Sequence, residues 1–268
     1  MHKLDGHIED LEPRIIDIYE NTPKQSEPSL QVSLSAYGWI LLDSWIAWRT
    51  LRFLLRDTFI EDSVNEKWFQ TPSSYTASQI KAAWRFDDSV EVYIEEETGK
   101  GLKDLLDGTI QTKRNSSAHF TKRAVIMGSD SRDLKQYFAV LSKVFLFYET
   151  KDFFTCVSKK LSVHGYDNFR IFFDESGEGF DLTCISERIR EYSHCHKFTL
   201  IGEKDDGTIL NIYVEKEGCF AGRSFKSEKE NMKSIINSSH SRYYFWGNKG
   251  YYQDVDLFVN TVYECLNE

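Results

Sequence analysis

The chain is short of positive charge: 33 Lys and Arg stand against 42 Asp and Glu, a formal charge of −9. That balance excludes a protein that coats nucleic acid through bulk charge, because such binding rests on many cation–phosphate contacts. It does not exclude a grip on RNA at one small basic site. The five cysteines, Cys156, Cys184, Cys195, Cys219 and Cys265, are odd in number and contain no CxxC pair. A disulfide framework is therefore not expected, and a reducing compartment fits. Proline is scarce, with 4 in 268 residues, so little interrupts long helices. The most apolar stretch, Tyr37–Ile46, contains Asp43 and is too short to span a bilayer. The opening MHKLDGHIEDLEPR has no apolar signal-peptide core. The expectation is a cytoplasmic protein with no membrane attachment. No internal repeat or low-complexity tract is visible.

Aromatic and aliphatic residues are plentiful. Hydrophobic residues make up 41% of the chain and aromatics 15%, enough for a real core. Their spacing changes near Gly165. Before it, apolar residues recur three or four apart, the period of an amphipathic helix. Residues 6–20 predict a short helix, and NTPKQSEPS (Asn21–Ser29), with two prolines, predicts a loop. A long helix is expected at about 30–59, with Leu34, Tyr37, Leu41, Trp45, Trp48, Leu51, Leu55 and Phe59 as its apolar stripe and Arg49, Arg52 and Arg56 beside it. Thr76 followed by Gln79 reads as a capping box opening a helix at 77–87. Residues 89–97 fit either a strand or another helix. A helix begins near 101, and Asp130 or Ser131 caps a further long one with Leu134, Phe138, Leu141, Phe145, Tyr148 and Phe153 on one face. The first half thus predicts a bundle of four or five helices.

After Gly165, turn signals and short alternating segments dominate. Asn168–Phe173 and Phe180–Cys184 read as a hairpin across DESGEG, and Phe198–Glu203 and Thr208–Glu215 as another across KDDG. Short helices are expected at Ile185–Tyr192, at 227–237 behind a Ser227/Glu230 capping box, and at Val255–Leu266. Arg242–Trp246 and Tyr251–Gln253 are candidates to pair across GNKG. The expected class is α+β: a helical unit over residues 1–165 and a small α+β unit over 166–268.

The chemistry is concentrated in Lys113-Arg114-Asn115-Ser116-Ser117-Ala118-His119. Arginine offers a fixed positive charge and a fork of donors matched to phosphate oxygens. Histidine titrates near neutrality and can take or give a proton. These are two ingredients for breaking an RNA phosphodiester without a metal, where the 2′-hydroxyl is the nucleophile and a cation stabilises charge on the phosphate. Five residues on a regular helix put two side chains about 140° apart. The helix must end or distort here, or the sites must combine across two subunits; the dimeric arrangement is the preferred one.

The motif and its setting resemble the HEPN family (higher eukaryotes and prokaryotes nucleotide-binding). Its signature is Arg, a polar residue, three variable residues and His, matched here by Arg114, Asn115 and His119. Asp133–Phe145 is similar to the family's final long helix. Ala36–Trp48 resembles an earlier helix that often carries an acidic residue, for which Asp43 is the candidate. The resemblance covers about residues 30–155; no family is recognised for 166–268. It implies an HEPN-like bundle that pairs as a homodimer, with both motifs lining one cleft, and metal-independent RNA cleavage leaving a 2′,3′-cyclic phosphate and a 5′-hydroxyl. Arg114 would hold the scissile phosphate, His119 would act on the 2′-hydroxyl proton and Asn115 would orient phosphate or ribose. Lys113, Lys122 and Arg123 would add RNA contacts. Asp43 would be a supporting acid. Many members are toxins or anti-phage effectors, so a neutralising or activating protein partner is also expected.

Other clusters are weaker. His194-Cys195-His196 has no nearby residues to complete a four-ligand zinc set, and no metal or cofactor is expected. Ser176–Phe180 is a turn rather than a phosphate loop. The aromatic run Arg242–Tyr252 reads first as hairpin core and second as a base-stacking surface. The alternative to an enzyme is a non-catalytic dimerisation and interaction module.

Overall fold

Helix α1 (Lys3–Asn21) and helix α2 (Pro28–Leu54) form where apolar residues recur at helical spacing. Pro28 at the start of α2 removes an N–H that no helix would use there. The computed structural model describes residues 3–55, 74–118, 130–173, 179–194, 197–207, 209–215 and 243–246. The chain divides into two units, Met1–Phe145 and Leu146–Glu268.

In the first unit α2 is surrounded. Trp39, Leu42, Trp45 and Ile46 are all buried, so its apolar surface is wider than the single stripe expected. Tyr37, assigned to that stripe, is instead 44% exposed and borders a shallow groove with Pro13, Arg14 and Leu34. Gly38 is required by close packing. A Cβ there would meet Leu134 Cδ2 at 2.5 Å and Ile18 Cγ2 at 3.0 Å. Rings fill the centre: Trp84 stacks on Phe53 at 4.1 Å and on Phe145 at 4.5 Å, and Trp45 meets Phe138 at 5.0 Å. The Trp84 indole N–H donates to Thr50 Oγ1 at 3.0 Å.

Helix α3 (Ala77–Trp84) opens on the expected capping box, with Thr76 and Gln79 satisfying each other's backbone N–H groups. Residues 88–98 resolve the strand-or-helix ambiguity as helix α4 (Asp88–Thr98), capped by Asp87 and closed by Gly99 at φ 69°. The helix expected from about 101 adopts a wide π register over Asp104–Gln111 and returns to α as α5 (Thr112–Ala118). The Thr109 and Thr112 hydroxyls donate to the carbonyls of Asp104 and Asp107, five residues back, within this widened stretch. Helix α6 (Asp130–Ser162) runs from the first unit into the second.

The second unit contains strands β1 (Asp167–Phe173), β2 (Phe180–Asp181), β3 (Lys197–Glu203), β4 (Ile209–Glu215) and β5 (Tyr243–Trp246) in the order β2-β1-β3-β4-β5. The expected hairpins are present as antiparallel pairs, Ile171 facing Phe180 across β1–β2 and Leu200 facing Ile212 across β3–β4, but the strand expected over Phe180–Cys184 ends at Asp181, where the chain turns into 3₁₀ conformation. Strand β5 pairs with β4 in parallel; the partner segment suggested for it, 251–253, lies outside the described residues. So do the helices expected at 227–237 and 255–266. The segment expected to form one helix at 185–192 is a 3₁₀ turn, Leu182–Arg188, followed by helix α7 (Ile189–His194). Ile171, Phe173, Leu200 and Leu210 are buried with Phe147, Phe154 and Tyr192, and the Tyr192 hydroxyl meets Thr150 Oγ1 at 3.0 Å. The architecture is α+β: a helical first unit, and a second in which a sheet joins helical segments. No helix among the described residues is long and apolar enough to cross a membrane.

Candidate functional site

Asp43 and Arg114 come from elements 71 residues apart in sequence. Asp43 sits on the buried part of α2, itself only 8% exposed. Arg114 sits on α5, and its Nε donates to Asp43 Oδ2 at 3.0 Å. The guanidinium does not stop there. Nη2 donates to Ser74 Oγ, and Nη1 donates to Asn115 Oδ1 at 2.7 Å. Ser74 in turn donates its hydroxyl proton to Asp43 Oδ2 at 2.5 Å. Asp43, Ser74 and Arg114 therefore form a closed ring of hydrogen bonds, with the carboxylate accepting twice.

Three of the five N–H groups of an arginine are engaged in this way. The Arg114 side chain nonetheless remains 29% exposed. Two N–H donors are left over among the described contacts, and they are what a phosphate oxygen would meet. Asn115 accepts through its Oδ1, so its amide N–H groups stay available as donors.

Lys113 is placed differently. Its ammonium pairs with Asp130 Oδ1 at the start of α6 and lies 4.9 Å from the centre of the Trp39 ring. Asp130 is buried, so this cation is committed to a nearly dry carboxylate. His119, Lys122 and Arg123 lie outside the described residues, which stop at Ala118 and resume at Asp130. Arg114 and Asn115 sit in the α register of Thr112–Ala118, and the π-register stretch lies upstream of them.

Comparison with protein families, with curated proteins and with solved structures returns no match to this chain.

The loop before α3 is held against the helix that carries Arg114. Asp107 Oδ1 accepts from the Ala77 backbone N–H at 2.8 Å, and Gln111 Nε2 donates to the Tyr75 carbonyl at 2.6 Å. Burial pushes the Tyr75 phenol above its ordinary value of 10.0, so it stays protonated at neutral pH. Sequence reasoning selected Asp43, Arg114 and Asn115 but missed Ser74, Asp107 and Gln111. A signal for the last two was present: Asp107, Gln111 and Arg114 fall four and three residues apart, the spacing of one helix face. Nothing local marks Ser74. Among the described residues no three His, Cys, Asp or Glu side chains are grouped to hold a metal ion.

Proposed function

We infer that this chain is an endoribonuclease of the HEPN type, cleaving RNA without a metal at a site built on Arg114 and His119. The observation that supports it is the junction of Asp43 with Arg114: the motif arginine and the acid that the family resemblance singled out on α2 meet in a 3.0 Å ion pair whose guanidinium is still partly exposed. A carboxylate that grips one edge of the guanidinium leaves another edge open to a phosphate oxygen, which is what electrostatic stabilisation of a phosphorane-like transition state requires. In the proposed reaction His119 removes the 2′-hydroxyl proton. The 2′-oxygen bonds to the adjacent phosphorus, the bond to the 5′-oxygen breaks, and that oxygen takes up a proton. The products are a 2′,3′-cyclic phosphate and a 5′-hydroxyl. Arg114 neutralises the gathering phosphate charge, and the Asn115 amide orients phosphate or ribose. A homodimer brings the two motifs together, and Lys122 and Arg123 add phosphate contacts. The biological setting that fits is a toxin or anti-phage effector, controlled by a protein partner.

The decisive measurement incubates the purified protein with a 5′-labelled single-stranded RNA of mixed sequence in EDTA, beside His119→Ala and Arg114→Ala. Cyclic-phosphate ends from the parent and none from either variant are expected. Equal cutting by the variants would remove the proposed site.

One observation favours a second reading. The guanidinium bonds to Asp43 of α2 and to Ser74 before α3 also suit a structural pin that ties α5 to both, as in a non-catalytic dimerisation and interaction module. On that reading Arg114→Ala lowers the melting temperature and His119→Ala leaves the biological activity of the protein intact.

A further inference from the structure

Three side chains on one helix face hold three of the four residues from Ser74 to Ala77, the segment that leads into α3. Asp107 takes the Ala77 N–H, Gln111 takes the Tyr75 carbonyl, and Arg114 takes the Ser74 hydroxyl. The loop runs antiparallel to the helix, so the contacts follow in register, and the last falls on the candidate catalytic arginine. Behind Ala77 the chain is fixed again by the Thr76 capping box. Ser74 is thus a loop residue held from its C-terminal side by a stapled backbone.

We propose that Ser74 is a positioning residue for Arg114, completing with Asp43 a two-point clamp on the guanidinium; the proposal rests on the ribonuclease reading for its catalytic consequence. A single carboxylate oxygen on Nε leaves the guanidinium free to pivot about that contact. A second acceptor on Nη2 removes the pivot. Ser74 accepts from Arg114 through a lone pair while its own proton is directed at Asp43, and both bonds are present. The hydroxyl therefore locks carboxylate and guanidinium together. The Asp107 and Gln111 staples hold it in place.

The test uses the full-length protein, with the same labelled RNA in EDTA, in parent, Ser74→Ala, Ser74→Thr and Gln111→Ala forms. Beside it, hydrogen exchange of the Arg114 Nε–H is followed by NMR, its resonance assigned by loss in Arg114→Ala. Ser74→Ala is expected to lower kcat about tenfold, the size of one lost hydrogen bond to a charged group, with KM within about twofold. Exchange of the Arg114 Nε–H accelerates in parallel, and Ser74→Thr, which keeps the hydroxyl, restores both. Gln111→Ala releases the Tyr75 carbonyl without touching the guanidinium and lowers kcat about threefold in the same direction, a change of under 1 kcal/mol. Unaltered kcat and unaltered exchange in Ser74→Ala overturn the inference while leaving the ribonuclease reading in place. If no form cuts RNA but Ser74→Ala still frees the Arg114 Nε–H, the ribonuclease reading falls and the hold of Ser74 on Arg114 stands.

Discussion

Glu12 of α1 is only 3% exposed, yet it faces two polar partners on α2. It accepts from the Trp45 indole N–H at 3.1 Å and lies 3.5 Å from Arg49 Nη1. Arg49 is buried as well and sits over the Trp45 ring. Each charge offsets part of the cost of burying the other. Glu12→Ala removes a buried acceptor from the Trp45 indole N–H and a carboxylate from beside Arg49, and is expected to cost about 1–3 kcal/mol in urea unfolding. A change below about 1 kcal/mol would show that water reaches the pair. Arg49 and Arg52 were expected beside the apolar stripe; both are buried, because α2 is covered around most of its circumference. The same coverage makes Asp43 a buried acid that needs Arg114 and Ser74.

At the scale of elements, the approach of α2 to its neighbours depends on a missing side chain. Gly38→Ala gains up to about 1 kcal/mol in helix propensity. It also drives a methyl into Leu134 and Ile18, both buried and unable to swing away into solvent. Overpacking of this kind costs about 1–3 kcal/mol, so the variant is expected to melt at a lower temperature. A higher melting temperature would mean that the helices separate easily. Three tyrosines of the first unit give a pH signature. Burial raises the phenols of Tyr19, Tyr75 and Tyr137, with the nearby Asp133 and Asp130 adding to the effect at Tyr137. A group whose folded pKa lies above its unfolded value stabilises the fold fully below the unfolded pKa. That contribution is lost as pH rises from the ordinary tyrosine value of 10.0 through the raised one. Chemical denaturation between pH 9 and 12 should therefore show stability falling across that window, and less steeply in Tyr137→Phe.

For the whole molecule, the proposed homodimer makes a prediction that no single chain can satisfy. Arg114→Ala and His119→Ala, each inactive alone, are mixed and exchanged. If each site takes Arg114 from one subunit and His119 from the other, half of the dimers regain one intact site, and about a quarter of parental RNA cleavage returns. No recovery on mixing would place both residues of a site on one chain. Sedimentation of the parent at about twice its 31.3 kDa chain mass is the companion expectation.

Periodicity alone made the α+β class, the capping box at Thr76, the long helix from Asp130 and the β3–β4 hairpin legible, because each is encoded within a few neighbouring residues. Helical and strand periods and turn dipeptides are local quantities. Arg114 was also legible as a candidate through its residue type beside His119, and Asn115 and Asp43 through the resemblance to the HEPN pattern. The ring that joins Asp43, Ser74 and Arg114 was not. Its members are 31 and 40 residues apart along the chain, and a hydrogen bond carries no trace in the sequence between its ends. Nor was the choice of helix over strand at 88–98 local; it follows from burial of Val90, Tyr93 and Ile94 at helical spacing against other elements. The π register before Arg114 is of the same kind, since no residue pattern distinguishes a widened turn from an ordinary one. The sequence by itself determined most of the helical and extended segments and which residue types are candidates for chemistry. Only tertiary packing decided which carboxylate and hydroxyl hold the arginine, because that depends on which helix faces are buried together.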